Sequence, residues 1–456
     1  MRGPQWRPIL VGLWGTLCAC PQPLPAELPG DDTVLYFPNA LVAMPDGQTA
    51  FVASSNFDQR FDAGWLTRID LPLLEQQIAT RAPLTPALSR ELKLPSLVGD
   101  LVALPNVRRA YASHRGSGYV TALDFADAGG SHLHCGTPGG ARGLGGYLAR
   151  TDCDASHLFD LKKQLAERDG ILHSPRREQL NDPLAVARAD DSRAMVAFAG
   201  DERIVVLEQD DDGRPRLTAD RLHGPGRARY GALLRSSSGA TIACGHASAG
   251  PFASEEALLS VFPAAAPSLG QHMFLSRQLA DGRSLDRAPG HLHRAIEARD
   301  GRLFVLTRGP ETILVLEPSA AASTRLDEEG ELTGGAGADP YALVEAYPIP
   351  GVRLTDALLV PHDGGELLVV ASLERDALYV FDVASSSRLH LAARLRLAGR
   401  GPNRLLYAQV NGRPLLLVST FYDHGLTVVD LSPANATDFV ATSFADATNP
   451  SHLPRP

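Results

Sequence analysis

Residues 355–397 read TDALLVPHDGGELLVVASLERDALYVFDVASSSRLHLAARLRL. Three apolar runs, 358–360, 367–371 and 378–383, are separated by Pro361-His362-Asp363-Gly364 and Leu373-Glu374-Arg375-Asp376, and 389–397 alternates apolar with polar residues. Branched and aromatic runs punctuated by Asp-Gly pairs mark strands joined by hairpins. The stretch predicts one sheet of four antiparallel strands taken in chain order.

The same unit recurs along the chain. Its clearest mark is the third strand, which usually ends on an acid: WLTRID at 65–70, YVTALD at 119–124, RIVVLE at 203–208, TILVLE at 312–317, LYVFDV at 378–383 and LTVVDL at 426–431, with LLSVF at 258–262 as a member lacking the acid. Two further runs precede each of these, split by turns such as Pro45-Asp46-Gly47, Asp300-Gly301 and Asn411-Gly412. A four-stranded unit repeated about seven times is the signature of a propeller, whose blades share one ring. The expected fold is all-β: a seven-bladed β-propeller with four-stranded blades over 33–445 and a tail at 446–456.

Net charge is −9, and 21% of residues are charged. No basic stripe suggests a nucleic-acid partner. At the N-terminus, Arg2 and Arg7 precede an apolar run at 9–17 that ends in Cys18-Ala19-Cys20. A basic segment, a short apolar segment and small residues form an export signal over 1–20, too short to stay as a membrane span. Leu17-Cys18-Ala19-Cys20 is similar to a bacterial lipobox, which implies lipidation of Cys20; a signal peptide cut later is the alternative. The Pro-rich segment 21–32 reads as a stiff tether. These features lead to the expectation of an exported protein, secreted or held at the outer membrane or periplasmic face by a lipid anchor alone.

The repeat is interrupted once, at 126–181, between blades 2 and 3. Cys135 and Cys153 flank a Gly-rich stretch there, and export permits a disulfide between them. Cys244, in the apolar ATIACG, reads as a small core residue. A helix is expected with Leu158, Leu161 and Leu165 on one face, capped by Asp154 or Ser156. The segment can be a cap over the ring or the carrier of a particular role.

No G-x-S-x-G elbow, H-E-x-x-H helix or phosphate-binding Gly-Lys-Ser/Thr loop occurs. The remaining chemistry is positional. Entries to the first strands carry Asn39, Asp100, Asp182, His293, Asp356 and Asn403. Loops between second and third strands carry Asn56, Asp58, His114, Arg115, Asp201, Glu202, His246, Arg308, Arg375, Asp423 and His424. In a propeller both sets open on one face around the channel. Such a ring can hold a divalent cation or a small polar ligand; equally, Asn and Asp sit there as turn formers. His291 and His293 are the nearest approach to a metal pair. No cofactor is otherwise expected.

Met44-Pro45-Asp46-Gly47 followed by Phe51-Val52-Ala53-Ser54-Ser55-Asn56, together with Val428-Val429-Asp430, resembles the YVTN-type seven-bladed propellers of bacteria. The resemblance spans about 34–444, leaves out the Cys-flanked insertion, and departs from the family in that most second strands lack the final Asn. It implies the propeller fold. Relatives include cell-surface proteins of unassigned role and, more distantly, lactonases, but no residue set here matches a lactonase site. Two functions follow as expectations. One is a non-catalytic binding or scaffold protein of the envelope, meeting an envelope protein, a glycan or a small polar ligand. The other is a secreted lactonase-like or metal-assisted hydrolase using the channel-mouth Asp, Asn and His residues.

Overall fold

The computed structural model describes residues 27–80, 82, 87–136, 151–168, 183–199, 201–225, 228–248, 255–264, 268, 270–319, 325–326, 332–333, 339–363, 365–383 and 388–444. Cys20, the signal-like segment, the first half of the tether, Asp182 and the C-terminal tail lie outside them. Among the described residues no helix is long and apolar enough to cross a membrane.

Seven sheets form seven blades, each running outward in chain order from an innermost first strand. The first strands, Pro38–Ala43, Val98–Leu104, Pro183–Arg188, Arg229–Arg235, His291–Glu297, Leu354–His362 and Pro402–Val410, are neighbours in sequence order. The last of them lies against the first and closes the ring. Chain order is kept because the connections are tight. Asn411 and Gly412, for example, both take positive φ (50° and 82°), as a two-residue hairpin with the sheet's own twist requires.

The second strands are buried on both faces, so they read as unbroken apolar runs rather than alternating ones. In Thr49–Ser54, Phe51 and Ala53 pack on blade 2, while Ala50 and Val52 pack on blade 7. Every pair of adjacent blades shares such a core, including the pair that closes the ring.

The recurrent acid ending the third strand has local work. Asp70 Oδ1 accepts the Leu73 N–H at 2.9 Å and caps α1 (Leu71–Thr80), a helix the sequence reading did not anticipate. Asp124 meets Arg109, its partner across the ladder, and Asp430 meets Arg413 at 2.6 Å.

The interruption at 126–181 is partly blade 2 itself. Blade 2 lacks one continuous fourth strand. Leu133–His134 and Leu158–Asp160 instead pair with opposite ends of the same third strand, Tyr119–Phe125. The Cys135–Cys153 disulfide links the two returning pieces, with Cα atoms 4.6 Å apart. The expected helix is present as α2 (Leu161–Arg168), with two corrections. Its cap is Asp160, whose Oδ1 accepts the Lys163 N–H at 2.8 Å, and Leu158 belongs to the preceding strand. Asp154 instead closes the turn before that strand, accepting the Ser156 and His157 N–H groups.

Candidate functional site: the channel mouth

Each first strand begins with a register slip against its second strand, at 38–40, 98–101, 183–185, 230–232, 292–294, 354–356 and 402–404. A bulge re-aims one side chain out of the alternation. Here it turns that side chain toward the next blade. Asn39 Nδ2 donates to the Val98 and Gly99 carbonyls at 2.7 and 3.1 Å. His293 Nε2 meets the Leu354 carbonyl at 3.1 Å, and Thr355 Oγ1 donates to Pro402 O at 2.8 Å. Asn403 Nδ2 donates to Asn39 Oδ1 at 2.8 Å, which joins blade 7 to blade 1. At Gly99 the backbone comes so close that a Cβ would stand 3.1 Å from the Leu184 carbonyl.

Three of the expected ligand residues, Asn39, His293 and Asn403, thus belong to a hydrogen-bonded belt between blades. His293 must carry its proton on Nε2 to donate in it. Burial, together with Arg308, Arg294 and Arg404, holds its pKa well below the ordinary histidine range.

Asp100 and Asp356 come together around Arg294, with Asp356 Oδ1 2.5 Å from Nε and Asp100 Oδ2 3.7 Å from Nη1. Asp356 also accepts the Ala357 and Leu405 N–H groups at 3.0 and 2.8 Å, so it spans blades 6 and 7. Burial opposes the Arg294 charge, but the two carboxylates outweigh it and its pKa is raised.

The residues the sequence reading underweighted are the arginines. Arg404 Nε and Nη2 bond the Asn39 and Gly99 carbonyls at 2.7 and 3.2 Å. The Arg115 stem packs on Gly99 as well. Arg308 and Arg353 stand exposed at the mouth, beside Glu311. Partial loss of hydration and the neighbouring Arg353 lower the pKa of Arg308, and burial and Arg294 lower that of Arg404. Five guanidinium groups, Arg115, Arg294, Arg308, Arg353 and Arg404, therefore face four carboxylates, Asp100, Asp356, Glu311 and Glu374. Glu311 accepts the Leu354 N–H at 3.2 Å, and loss of hydration raises its pKa despite the arginines. Arginine at the end of a second strand (LTR at 306–308) or before a first strand (GVR at 351–353) was the available signal.

The remaining loop residues are mostly structural. Asn56 ties its own loop to Phe61 and Ser96, Asp201 pairs with Arg203, and Asp423 pairs with Arg400. His114 is fully buried against Thr121 Oγ1 at 2.7 Å, and burial pushes its pKa down to about 4. His424 stacks on Tyr36 and accepts the Phe37 N–H at 3.0 Å.

No protein-family model matches the chain, and no curated relative does. Solved structures of similar architecture include a putative 6-phosphogluconolactonase from Bacteroides fragilis, 14% identical, covering 84% of this chain and 89% of that one with a TM-score of 0.49. Another is the periplasmic gluconolactonase of Pseudomonas aeruginosa, 12% identical, covering 90% and 85% with a TM-score of 0.42. A third is the hydrazine synthase of Kuenenia stuttgartiensis, 13% identical, covering 87% and 96% with a TM-score of 0.47. At these levels the likeness concerns the propeller architecture alone.

Proposed function

We propose that the protein is an exported, non-catalytic binding propeller of the cell envelope whose channel mouth takes an anionic group. One observation carries the reading. The mouth carboxylates Asp100 and Asp356 are engaged by Arg294, whereas Arg308, Arg353 and Arg404, from three blades, outnumber the other carboxylates there, Glu311 and Glu374. Such an opening repels a free divalent cation and attracts a carboxylate or phosphate, which arginine binds with paired N–H donors. Export rests on the basic and apolar segment ending at Cys20, with the Cys135–Cys153 disulfide in keeping with an oxidising compartment.

Calorimetric titration of the purified protein with citrate and with tripolyphosphate at low salt tests the binding claim. Charge-assisted hydrogen bonds contribute about 1.5–3 kcal/mol each, so Arg308→Ala/Arg353→Ala should weaken binding by at least about tenfold. Failure of both anions to bind, or equal binding by the variant, refutes the reading. Detergent-phase partition of cells expressing wild type and Cys20→Ala tests the anchor. The variant should leave the detergent phase, and unchanged partition rules out lipidation at Cys20.

A hydrolase remains the second reading because of Glu311, a carboxyl of raised pKa beside two arginines. Such a group can act as a general base. Turnover of lactone substrates that disappears in Glu311→Gln while anion binding persists would favour it over the binding protein.

A further inference from the structure

Among the described residues, two groups bring at least three metal-ligating side chains within reach of one point: Asp124, His134 and His157, and His246, Glu255 and His291. In the first group two of the three donors, Asp124 and His157, are already used. Asp124 is held by Arg109, and His157 gives one ring nitrogen to Asp124 and the other to Asp154, at 2.9 and 2.7 Å. Such an imidazole has no lone pair to offer a metal.

The second group is different. We propose that His246, Glu255 and His291 form a binding site for a borderline transition-metal ion, zinc in the first instance, on the rim between blades 4 and 5. His246 lies near the end of blade 4's second strand, Glu255 opens its third strand, and His291 opens the first strand of blade 5. Glu255 Oε2 stands 2.9 Å from His291 Nε2 and 3.7 Å from His246 Nε2. Donors on a tetrahedral zinc ion sit about 3.3 Å apart, given metal–ligand lengths of about 2.0–2.1 Å. The two observed separations bracket that value. The other oxygen, Glu255 Oε1, faces Arg229 Nη1 at 4.0 Å, which orients the carboxylate with Oε2 toward the imidazoles.

The two rings are stacked, with centroids 4.0 Å apart and planes 16° from parallel. Two imidazolium ions do not stack at that distance without strong repulsion, so at least one ring is neutral and holds a lone pair. A metal must lie in the plane of each ring it binds, so ligation opens the stack. His291 is half exposed, and its ring turns about its side-chain torsions. Two imidazoles and one carboxylate select zinc, or copper and nickel, over calcium and magnesium. Three protein ligands leave the fourth position to water.

The site is independent of the anion reading and shares none of its residues. The test uses the full chain, stripped with EDTA and re-equilibrated with zinc sulfate, followed by elemental analysis and titration. Wild type should hold one zinc per chain. His291→Ala and Glu255→Gln, both at exposed positions, should each weaken binding at least about tenfold, and His134→Ala should not. Cobalt(II) in place of zinc should give the strong visible bands of a low-coordinate N/O site, lost in His291→Ala. Circular dichroism confirms that the variants are folded. Absence of stoichiometric zinc in wild type, or equal affinity in both variants, or loss through His134→Ala, overturns the proposal.

Discussion

A serine near the end of the second strand recurs at 54, 113, 372 and 419, and it shows how single residues hold this ring. Ser54, Ser113 and Ser419 Oγ each accept a backbone N–H near the entry of their own blade's first strand, from Tyr36, Asp100 and Arg404, all at 3.0 Å. Ser372 Oγ is equally buried and has no partner among the described residues. The pair gives a controlled comparison. Ser54→Ala leaves the buried Tyr36 N–H unpaired and should cost about 1–3 kcal/mol, whereas Ser372→Ala should be nearly neutral. Urea unfolding of both variants checks this, and equal losses would refute it. The Ser was readable in FVASS, AYASH, VVAS and LLVST, but its role needs the slipped register that brings the strand entry against it. The same slip explains why Asn39, His293 and Asn403 looked like ligands. The polar ring was visible in the sequence, and its direction, sideways into the next blade, was set by bulges that no residue type announces.

At the scale of elements, blade 2 carries most of what the repeat did not foretell. Its outer edge is split between Leu133–His134 and Leu158–Asp160, each too short to register as a strand on its own. The cysteine pair was legible from export context and spacing. Opening it should destabilise the protein by on the order of 3 kcal/mol, from the freed loop entropy of the unfolded chain. Thermal unfolding of Cys135→Ser/Cys153→Ser measures this, and an unchanged melting temperature would contradict it.

A second clasp holds the same edge. His157 bridges Asp124 of the third strand and Asp154 of the returning segment. Burial opposes its charge, but hydrogen bonds to the two carboxylates outweigh it and its pKa is raised above 6.5. A histidine whose folded pKa is raised contributes stability that is complete below its unfolded pKa and is lost as pH rises through the folded value. The contribution should therefore fade above about pH 6.5. Hydrogen exchange of residues 119–125 followed from pH 6 to 8.5, corrected for intrinsic rates, should show falling protection in wild type. His157→Gln should show no such pH dependence, and identical profiles would refute the clasp.

At the scale of the whole molecule, the ring closes, among the described residues, without exchanging a strand between its first and last blades. Pro38–Ala43 and Pro402–Val410 each pair within their own sheet. The seam is held instead by the shared apolar core, the Asn403–Asn39 bond, Arg404 on the Asn39 carbonyl, and His424 on Tyr36 and Phe37. These contacts join residues more than 360 positions apart, so the linear repeat could not show them. A double-mutant cycle on Asn39→Ala and Asn403→Ala should give a coupling of about 0.5–1.5 kcal/mol, and strict additivity would contradict a side-chain closure.

The blade count and blade order were legible because seven buried second strands and their turns repeat in one phase. The charge balance of the mouth was not, because it depends on which groups meet across blades. Acids scattered over Asp100 and Asp356 read as a cation ring until Arg294 is placed between them.

The proposed division of labour at the mouth, structural carboxylates and anion-binding guanidiniums, is tested by measuring melting temperature and citrate affinity together on two variants. Asp356→Asn removes the buried partner of Arg294 and should lower the melting temperature by several degrees, since breaking a buried ion pair costs about 3–5 kcal/mol. Arg308→Ala/Arg353→Ala should leave the melting temperature nearly unchanged and weaken citrate binding at least about tenfold. A stable Asp356→Asn, or an arginine double variant that unfolds early yet binds citrate as tightly as wild type, would contradict it.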